Sequence, residues 1–138
     1  MKTRIFSSLI AVLLLNLCIN QTYAQDKLYN HVSLENPPTY PGGIKAFYDF
    51  LGSNVKYPKL AVDSNIQGIT YVTFTIEKDG SLNDIKTEGR KLGYGLDEEA
   101  IRVLKLSKNW NPGMIAGQPV RVKYNIPVRF KIPVKSTM

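Results

Sequence analysis

Few residues in this chain have side chains that could catalyse a reaction. The 138 residues include one cysteine, Cys18, and one histidine, His31. A lone thiol excludes an internal disulfide bond and any zinc or iron–sulfur site built on several cysteines. A serine nucleophile needs a base beside it, and the sequence has no Gly-x-Ser-x-Gly motif and offers only His31 or a lysine as that base. We therefore predict that the protein is not an enzyme and has no catalytic residues, no cofactor and no metal site.

Two short motifs resemble parts of functional sites, but local structure explains them more simply. Asp97, Glu98 and Glu99 form a carboxylate cluster, and the helix dipole stabilises carboxylates in the first turn of a helix. Gly93-Tyr94-Gly95 is similar to part of a phosphate-binding loop, but it lacks the third glycine and a preceding buried strand. We predict a helix start and a turn at these two positions.

The N-terminus has the pattern of a secretory signal. A positively charged start precedes a mostly apolar run at residues 5–19, and Thr22-Tyr23-Ala24 resembles a cleavage site. A bilayer-spanning helix needs about 20 apolar residues, so this run is short for a permanent anchor. We predict a signal peptide at residues 1–24, cleavage after Ala24 and a periplasmic location. An uncleaved inner-membrane anchor stays open as an alternative, as does lipoprotein processing at Cys18, which lacks the small residue expected before it.

The charge of the chain is unevenly distributed. Lysine and arginine number 18 against 11 acidic residues, which gives a formal net charge of +7. Residues 102–138 contain eight basic residues and no acidic one. Because an exported protein seldom meets nucleic acid, this pattern predicts anionic lipid headgroups, lipopolysaccharide or an acidic peptide as the partner and no nucleic acid. The alternative is that these residues only protect an exposed strand from unwanted pairing.

Turn residues and apolar spacing divide the rest of the chain into a lead-in and one small domain. Prolines and glycines at residues 37–43 predict an extended lead-in over residues 25–43. Apolar residues recur at the helical period in residues 44–51 and in residues 96–108. A short helical turn is expected at residues 59–64, after Pro58.

Strands are predicted between and after these helices. Residues 69–77 alternate in polarity, and Asp79-Gly80 is a strong signal for a hairpin to a second strand at residues 82–88. A bulge near Asn83-Asp84 would restore the alternation of that second strand. These elements predict an α+β fold in which helices pack on one face of a small antiparallel sheet.

The last strand, residues 120–132, has the strongest pattern. Its even positions are apolar and its odd positions are polar or proline, so one face lies on a core and the other in water. Pro127 has no N–H to donate to a sheet, which places the strand at an edge with the main-chain groups of its odd residues facing no internal neighbour. Such an edge can accept a peptide as an extra strand. The predicted peptide-binding edge consists of Arg121, Val122, Lys123, Tyr124, Asn125, Ile126, Pro127, Val128, Arg129 and Lys131.

A series of short motifs spans about residues 37–132. They are Pro37-Pro38-Thr39-Tyr40-Pro41-Gly42-Gly43, Tyr57-Pro58, Ala61, Gly68, Val72-Thr73-Phe74-Thr75-Ile76, Asp79-Gly80, Leu96-Asp97-Glu98-Glu99-Ala100, Trp110-Asn111-Pro112, Gly117-Gln118-Pro119-Val120 and Pro127-Val128-Arg129-Phe130. In this order and spacing they resemble the TonB C-terminal domain family. The first motif is similar to the Pro-x-Phe-Pro-Gly-Gly stretch of the Bacteroidetes branch, with Tyr40 in the aromatic place.

The resemblance implies a three-stranded antiparallel sheet with helices packed on one face, over residues 44–135. It also implies that the last strand pairs with the TonB box of TonB-dependent outer-membrane receptors, or with segments of other envelope proteins. Energy-transducing members keep a membrane helix that carries a histidine, followed by a long Pro-rich spacer, and residues 1–40 show neither feature. We therefore predict a stand-alone peptide-binding module in TonB-dependent transport, without a link to the inner-membrane motor.

Two other functions stay open at this stage. A membrane-anchored energy transducer would keep residues 1–24 uncleaved. A structural protein of the envelope would instead form a homodimer through the same edge strand, or dock on lipid through its basic face.

Overall fold

The computed structural model describes residues 27–134, and the predicted signal peptide and its cleavage after Ala24 lie outside them. Helices and strands follow the predicted order, with bounds that differ by a few residues. The elements are β1 (Leu28–Asn30), α1 (Gly43–Asn54), α2 (Lys59–Asp63), β2 (Gly68–Ile76), β3 (Leu82–Glu88), α3 (Leu96–Lys105), β4 (Gly113–Ile115) and β5 (Gln118–Phe130). A 3-10 turn, His31–Ser33, follows β1 directly.

The strands form one mixed sheet of five strands. Its order is β1-β5-β2-β3, and β4 forms a hairpin with the start of β5. β2 is antiparallel to both β3 and β5, whereas β1 runs parallel to β5. The predicted three-stranded antiparallel sheet is therefore wrong, although the α+β class is confirmed. The two additional strands have three residues each, which is too short for a recognisable alternation. β4 pairs with the part of β5 that extends beyond its ladder with β2, whereas β1 pairs with the other edge of β5.

The ladder between β2 and β5 is the longest in the sheet. It runs from Gly68 opposite Phe130 to Ile76 opposite Val122. Most residues that this ladder directs towards the helices are at most 2% exposed, among them Val72, Phe74, Ile76, Val122, Ile126, Val128 and Phe130. Tyr124, opposite Phe74, is partly buried. The predicted core face of the last strand is confirmed at these positions, because a two-residue period places alternate side chains on one face.

Helices α1 and α3 cover that face of the sheet. Their buried residues are Phe47, Leu51, Leu96, Asp97, Glu99, Ala100, Val103 and Leu104. The ring of Trp110, in the loop after α3, lies 5.1 Å from that of Phe47 and 5.7 Å from that of Phe74. Aromatic rings from a helix, a loop and a strand thus meet at the centre of the core.

Two local features confirm or refine the sequence-based expectations. The pairing of β2 with β3 changes register between Thr73 and Thr75, and Asp84 has a φ of 50°, so the predicted bulge is confirmed. Helix α3 ends earlier than predicted, because the N–H groups of Leu106 and Ser107 bond to carbonyl groups three residues back. Such bonds tighten and close the last turn of a helix.

The hairpin between β2 and β3 is attached to the core loop through Gly80. The Trp110 N–H donates to the carbonyl oxygen of Gly80 at 2.8 Å. A Cβ atom at position 80 would lie 1.8 Å from the carbonyl oxygen of Trp110, and the φ of Gly80 is +84°. Only glycine fits here, since both the conformation and the close main-chain approach exclude a side chain.

We predict that Gly80→Ala lowers the free energy of unfolding by about 3 kcal/mol or more, because backbone strain and a main-chain clash add. Gly89→Ala is the matched control, since Gly89 has a φ of +77° and no atom within 4 Å of an added Cβ. The control should lose only about 1–2 kcal/mol, the strain of a left-handed residue. Urea unfolding of both variants measures the difference, and equal losses would contradict the role of the Trp110 contact.

Candidate functional site

Pro127 determines which way the main-chain groups of β5 point. It lies directly opposite Tyr71 of β2. Because proline has no N–H, this must be a pair without mutual hydrogen bonds, and the two kinds of pair alternate along an antiparallel ladder. The even residues of β5 therefore bond to β2, and the N–H and C=O groups of its odd residues point to the outer edge. The edge position predicted from Pro127 is thus consistent with the register.

The first part of this outer edge is covered by the chain itself. β1 pairs with β5 so that Leu28 is opposite Arg121 and Asn30 is opposite Lys123. The ring of His31 follows, 4.4 Å from the ring of Tyr124, with its Nδ1 3.4 Å from the Lys123 carbonyl oxygen. The expectation that the odd residues face no internal neighbour is wrong for residues 121–123. The lead-in that was predicted only as extended chain forms a parallel strand there.

The second part of the outer edge, from Asn125 to Lys131, pairs with no other strand among the described residues. Its outward N–H donors belong to Asn125 and Arg129, and Pro127 contributes a carbonyl acceptor alone. Of the ten residues predicted for the site, this stretch contains Asn125, Ile126, Pro127, Val128, Arg129 and Lys131. We refer to it below as the open edge.

A hollow of about 800 Å³ lies beside the open edge. Helix α1 and the loop after it provide one wall, with Tyr48, Leu51, Val55 and Tyr57. The remaining lining residues are Gly52, Ile69, Tyr71, Pro127, Val128, Arg129, Phe130, Lys131 and Pro133. An extended chain laid along the open edge would enter this hollow, so main-chain pairing and side-chain burial are available at one place.

The wall from α1 was not predicted as part of the site. The sequence shows only that Tyr48 lies on the apolar side of a helix, and the structure adds that it is 42% exposed. The Tyr57 hydroxyl donates to the Ile66 carbonyl oxygen at 2.5 Å, and its ring is 5.9 Å from that of Phe130. Burial raises the pKa of the Tyr57 hydroxyl.

An ion pair between the buried Glu99 carboxylate and the partly exposed Arg102 holds the end of α1 in place. Glu99 of α3 accepts hydrogen bonds from the guanidinium of Arg102, at 2.6 and 2.7 Å, and from the main-chain N–H of Lys56 at 2.6 Å. The same guanidinium donates to the Asn54 carbonyl oxygen at 2.9 Å. The hydrogen bond from Arg102 lowers the pKa of Glu99 more than burial raises it, and the Lys56 N–H adds to the lowering. The end of α1, which forms the helical wall of the hollow, is therefore attached to α3.

The basic residues of β5 differ in their surroundings along the strand. Arg121 pairs with Glu77, with Nε 2.8 Å from Oε2, and Lys123 pairs with Glu88, with Nζ 3.3 Å from Oε1. None of the ion pairs within residues 27–134 involves Arg129 or Lys131. The predicted basic face is thus neutralised where β1 covers the edge and remains positive along the open edge.

The profile of the family described as Gram-negative bacterial TonB protein C-terminal matches residues 53–132. The chain belongs to this family. Two NMR solution structures of the Helicobacter pylori TonB C-terminal domain are similar to it, each at 26% identity. One has a TM-score of 0.51 and covers 64% of this chain and 91% of the other; the second has a TM-score of 0.45, with 65% and 82% covered. None of the curated proteins matches the chain.

Membership in the TonB C-terminal family confirms the resemblance seen in the sequence. In TonB this domain interacts with outer-membrane receptors, and such domains are periplasmic interaction modules without enzymatic activity. In the part of this TonB C-terminal relative that the structure describes, no helix is long and apolar enough to cross a membrane. No cluster of three or more potential metal ligands occurs among those same residues.

We predict that Glu99→Gln lowers the free energy of unfolding by about 1–3 kcal/mol at neutral pH, because the charge-assisted hydrogen bonds of a buried carboxylate are lost. A carboxyl group whose pKa is lowered by folding stabilises the fold above its unfolded pKa, and this contribution disappears as the pH falls through its folded pKa. The wild type should therefore lose stability on acidification more steeply than the variant.

The measurement is the free energy of unfolding between neutral and acidic pH. Glu98→Gln is the matched control, since Glu98 is an exposed carboxylate of the same helical turn. Its curve should run close to that of the wild type. Parallel curves for the wild type and Glu99→Gln would contradict the assigned role of Glu99.

Proposed function

We propose that this protein binds extended polypeptide segments, which add as a strand to the open edge from Asn125 to Lys131. The single observation that carries the proposal is that the open edge of β5 lies directly beside the hollow. Main-chain hydrogen bonds along an edge supply affinity, and pockets for alternate side chains supply selectivity. Membership in the TonB C-terminal family supports N-terminal segments of TonB-dependent outer-membrane receptors as the partners.

The proposed site is smaller than the site predicted from the sequence. It leaves out Arg121, Val122, Lys123 and Tyr124. β1 and His31 cover the outer edge at these positions. Val122 is fully buried, and the Tyr124 ring packs against His31 and Trp110. Tyr124 is partly buried against the core, and burial and the neighbouring Tyr48 raise the pKa of its hydroxyl. A segment bound at the open edge would end next to this cluster.

The experiment uses synthetic peptides that cover the N-terminal segments of TonB-dependent receptors encoded in the same genome. We expect them to shift the NMR amide signals of residues 125–131. Asn125→Pro should weaken binding about five-fold or more, because one outward N–H donor is lost and the proline ring faces the peptide. Pro127→Ala supplies a new outward N–H and should strengthen binding by a similar factor.

Asn125→Ala is the matched control, since it keeps the N–H donor and changes only an exposed side chain. It should bind as the wild type does. Signal shifts confined to the helices, or equal weakening by Asn125→Ala and Asn125→Pro, would contradict strand addition. Thermal unfolding of the variants verifies that the fold is retained, as expected for substitutions that remove no bond to β2.

We further propose that the exported protein acts in the periplasm as a stand-alone domain after cleavage behind Ala24, and not as a membrane-anchored energy transducer. The pattern of residues 1–24 supports this, since a short apolar run precedes a small-x-small site. The mass of the protein recovered from the periplasmic fraction should correspond to a chain that begins at Gln25. Recovery of the full-length chain in the inner membrane would contradict the proposal.

A further inference from the structure

Arg129 of β5 and Lys131, just beyond its end, form no ion pair within residues 27–134 and border the hollow at the open edge. Arg129 and Lys131 line the same hollow as the apolar side chains of Tyr48, Leu51 and Val55. The other basic residues of the strand, in contrast, already have carboxylate partners within 3.3 Å. The open edge therefore combines uncompensated positive charge with unfilled apolar surface.

An added strand would meet these two surfaces with alternate residues. The side chains of Val128 and Phe130 point to the helix face, as their burial shows, whereas Arg129 is exposed on the opposite face. Directly opposed residues of neighbouring strands have their side chains on the same face. A residue of the added strand opposite Val128 or Phe130 would thus face the wall from α1. A residue opposite Arg129 would lie beside its guanidinium, on the side of the hollow lined by Ile69, Tyr71 and Pro127.

We infer that the partner of the open edge is an extended segment in which apolar and acidic residues alternate. This inference rests on the proposed function and names the chemistry of its ligand. Apolar side chains bury surface against the wall from α1, which is favourable in proportion to the area removed from water. Acidic side chains form cross-strand pairs with Arg129 and approach Lys131, which directly follows β5, and a basic side chain there is disfavoured.

A second copy of this chain fits the open edge poorly. Pairing through β5 would bring a second Arg129 and a second Lys131 to an edge whose own two cations lack carboxylate partners among residues 27–134. Like charges on neighbouring strands are destabilising. The charge pattern therefore favours an acidic segment of another protein over a homodimer.

The test compares fluorescently labelled peptides of seven residues, all with leucine at the same alternate positions. Glutamate, serine or lysine occupies the positions between them. At a salt concentration of ~0.05 M, where charges are weakly screened, the glutamate peptide should bind about ten-fold more tightly than the lysine peptide, with the serine peptide between them. Replacing the leucines by serine in the glutamate peptide should weaken binding about ten-fold or more.

The decisive experiment reverses the charge of the two basic residues at the open edge. The double variant Arg129→Glu/Lys131→Glu should prefer the lysine peptide, so the order of affinities inverts. Lys105→Glu/Lys108→Glu is the matched control, because it changes the net charge equally at exposed positions at and just beyond the end of α3. The control should keep the wild-type order, which separates a local pair from a general charge effect.

The outcomes distinguish this inference from the proposed function. If all peptides shift residues 125–131 with equal affinity, strand addition stands and the alternating chemistry is wrong. If no peptide shifts these residues, the proposed function itself fails. If Arg129→Glu/Lys131→Glu abolishes binding to phosphatidylglycerol vesicles and leaves the peptide order unchanged, the cations serve a lipid surface and the inference is overturned.

Discussion

The antiparallel ladder between β2 and β5 is the constraint on which the rest of this structure depends. It buries one side-chain face of both strands under α1 and α3, and so it supplies most of the sheet's part of the core. The same ladder fixes the direction of every main-chain group in β5, because Pro127 opposite Tyr71 leaves one arrangement of hydrogen bonds. Core packing and the orientation of the outer edge are therefore consequences of one register. A shift by a single residue would exchange the two faces and reverse the edge.

An unpaired strand edge is a hazard, since it can pair with other chains. This protein covers part of its edge and leaves part open. β1 pairs along residues 121–123 and His31 packs against Tyr124, after which the lead-in forms bridges to Met114 of β4 and to Asn111. Beyond that point Pro127 removes one donor, and Arg129 and Lys131 add charge, so indiscriminate pairing is weakened while selective pairing remains available. The features that protect the open edge are also those that would select its ligand.

Much of the fold could be predicted from local patterns. The alternation of residues 120–132, the Asp79-Gly80 turn and the bulge near Asp84 each depend on neighbouring residues alone, and the structure agrees with all of them. The wrong strand count has a different origin. β1 and β4 have three residues each, so no periodicity in their own sequence indicates a strand, and β1 also pairs with a segment that is about 90 residues away in the chain. The wall from α1 was missed for the same reason, because its place beside β5 depends on Glu99 and Arg102, which hold the end of the helix from another element.

By itself the sequence determined the family, the polarity of each face of β5 and the presence of an edge, because these follow from alternation, composition and the missing N–H of Pro127. Only the tertiary structure decided how much of that edge is open, which cations remain without a carboxylate and which helix stands beside the strand. The physical reason is that the two-residue period of a strand depends only on neighbouring residues. The covering of an edge, the pairing of charges and the shape of a hollow depend on segments that are distant in the chain. In this protein that division falls within a single strand: its pattern is local, and its accessibility is set by a lead-in some 90 residues away.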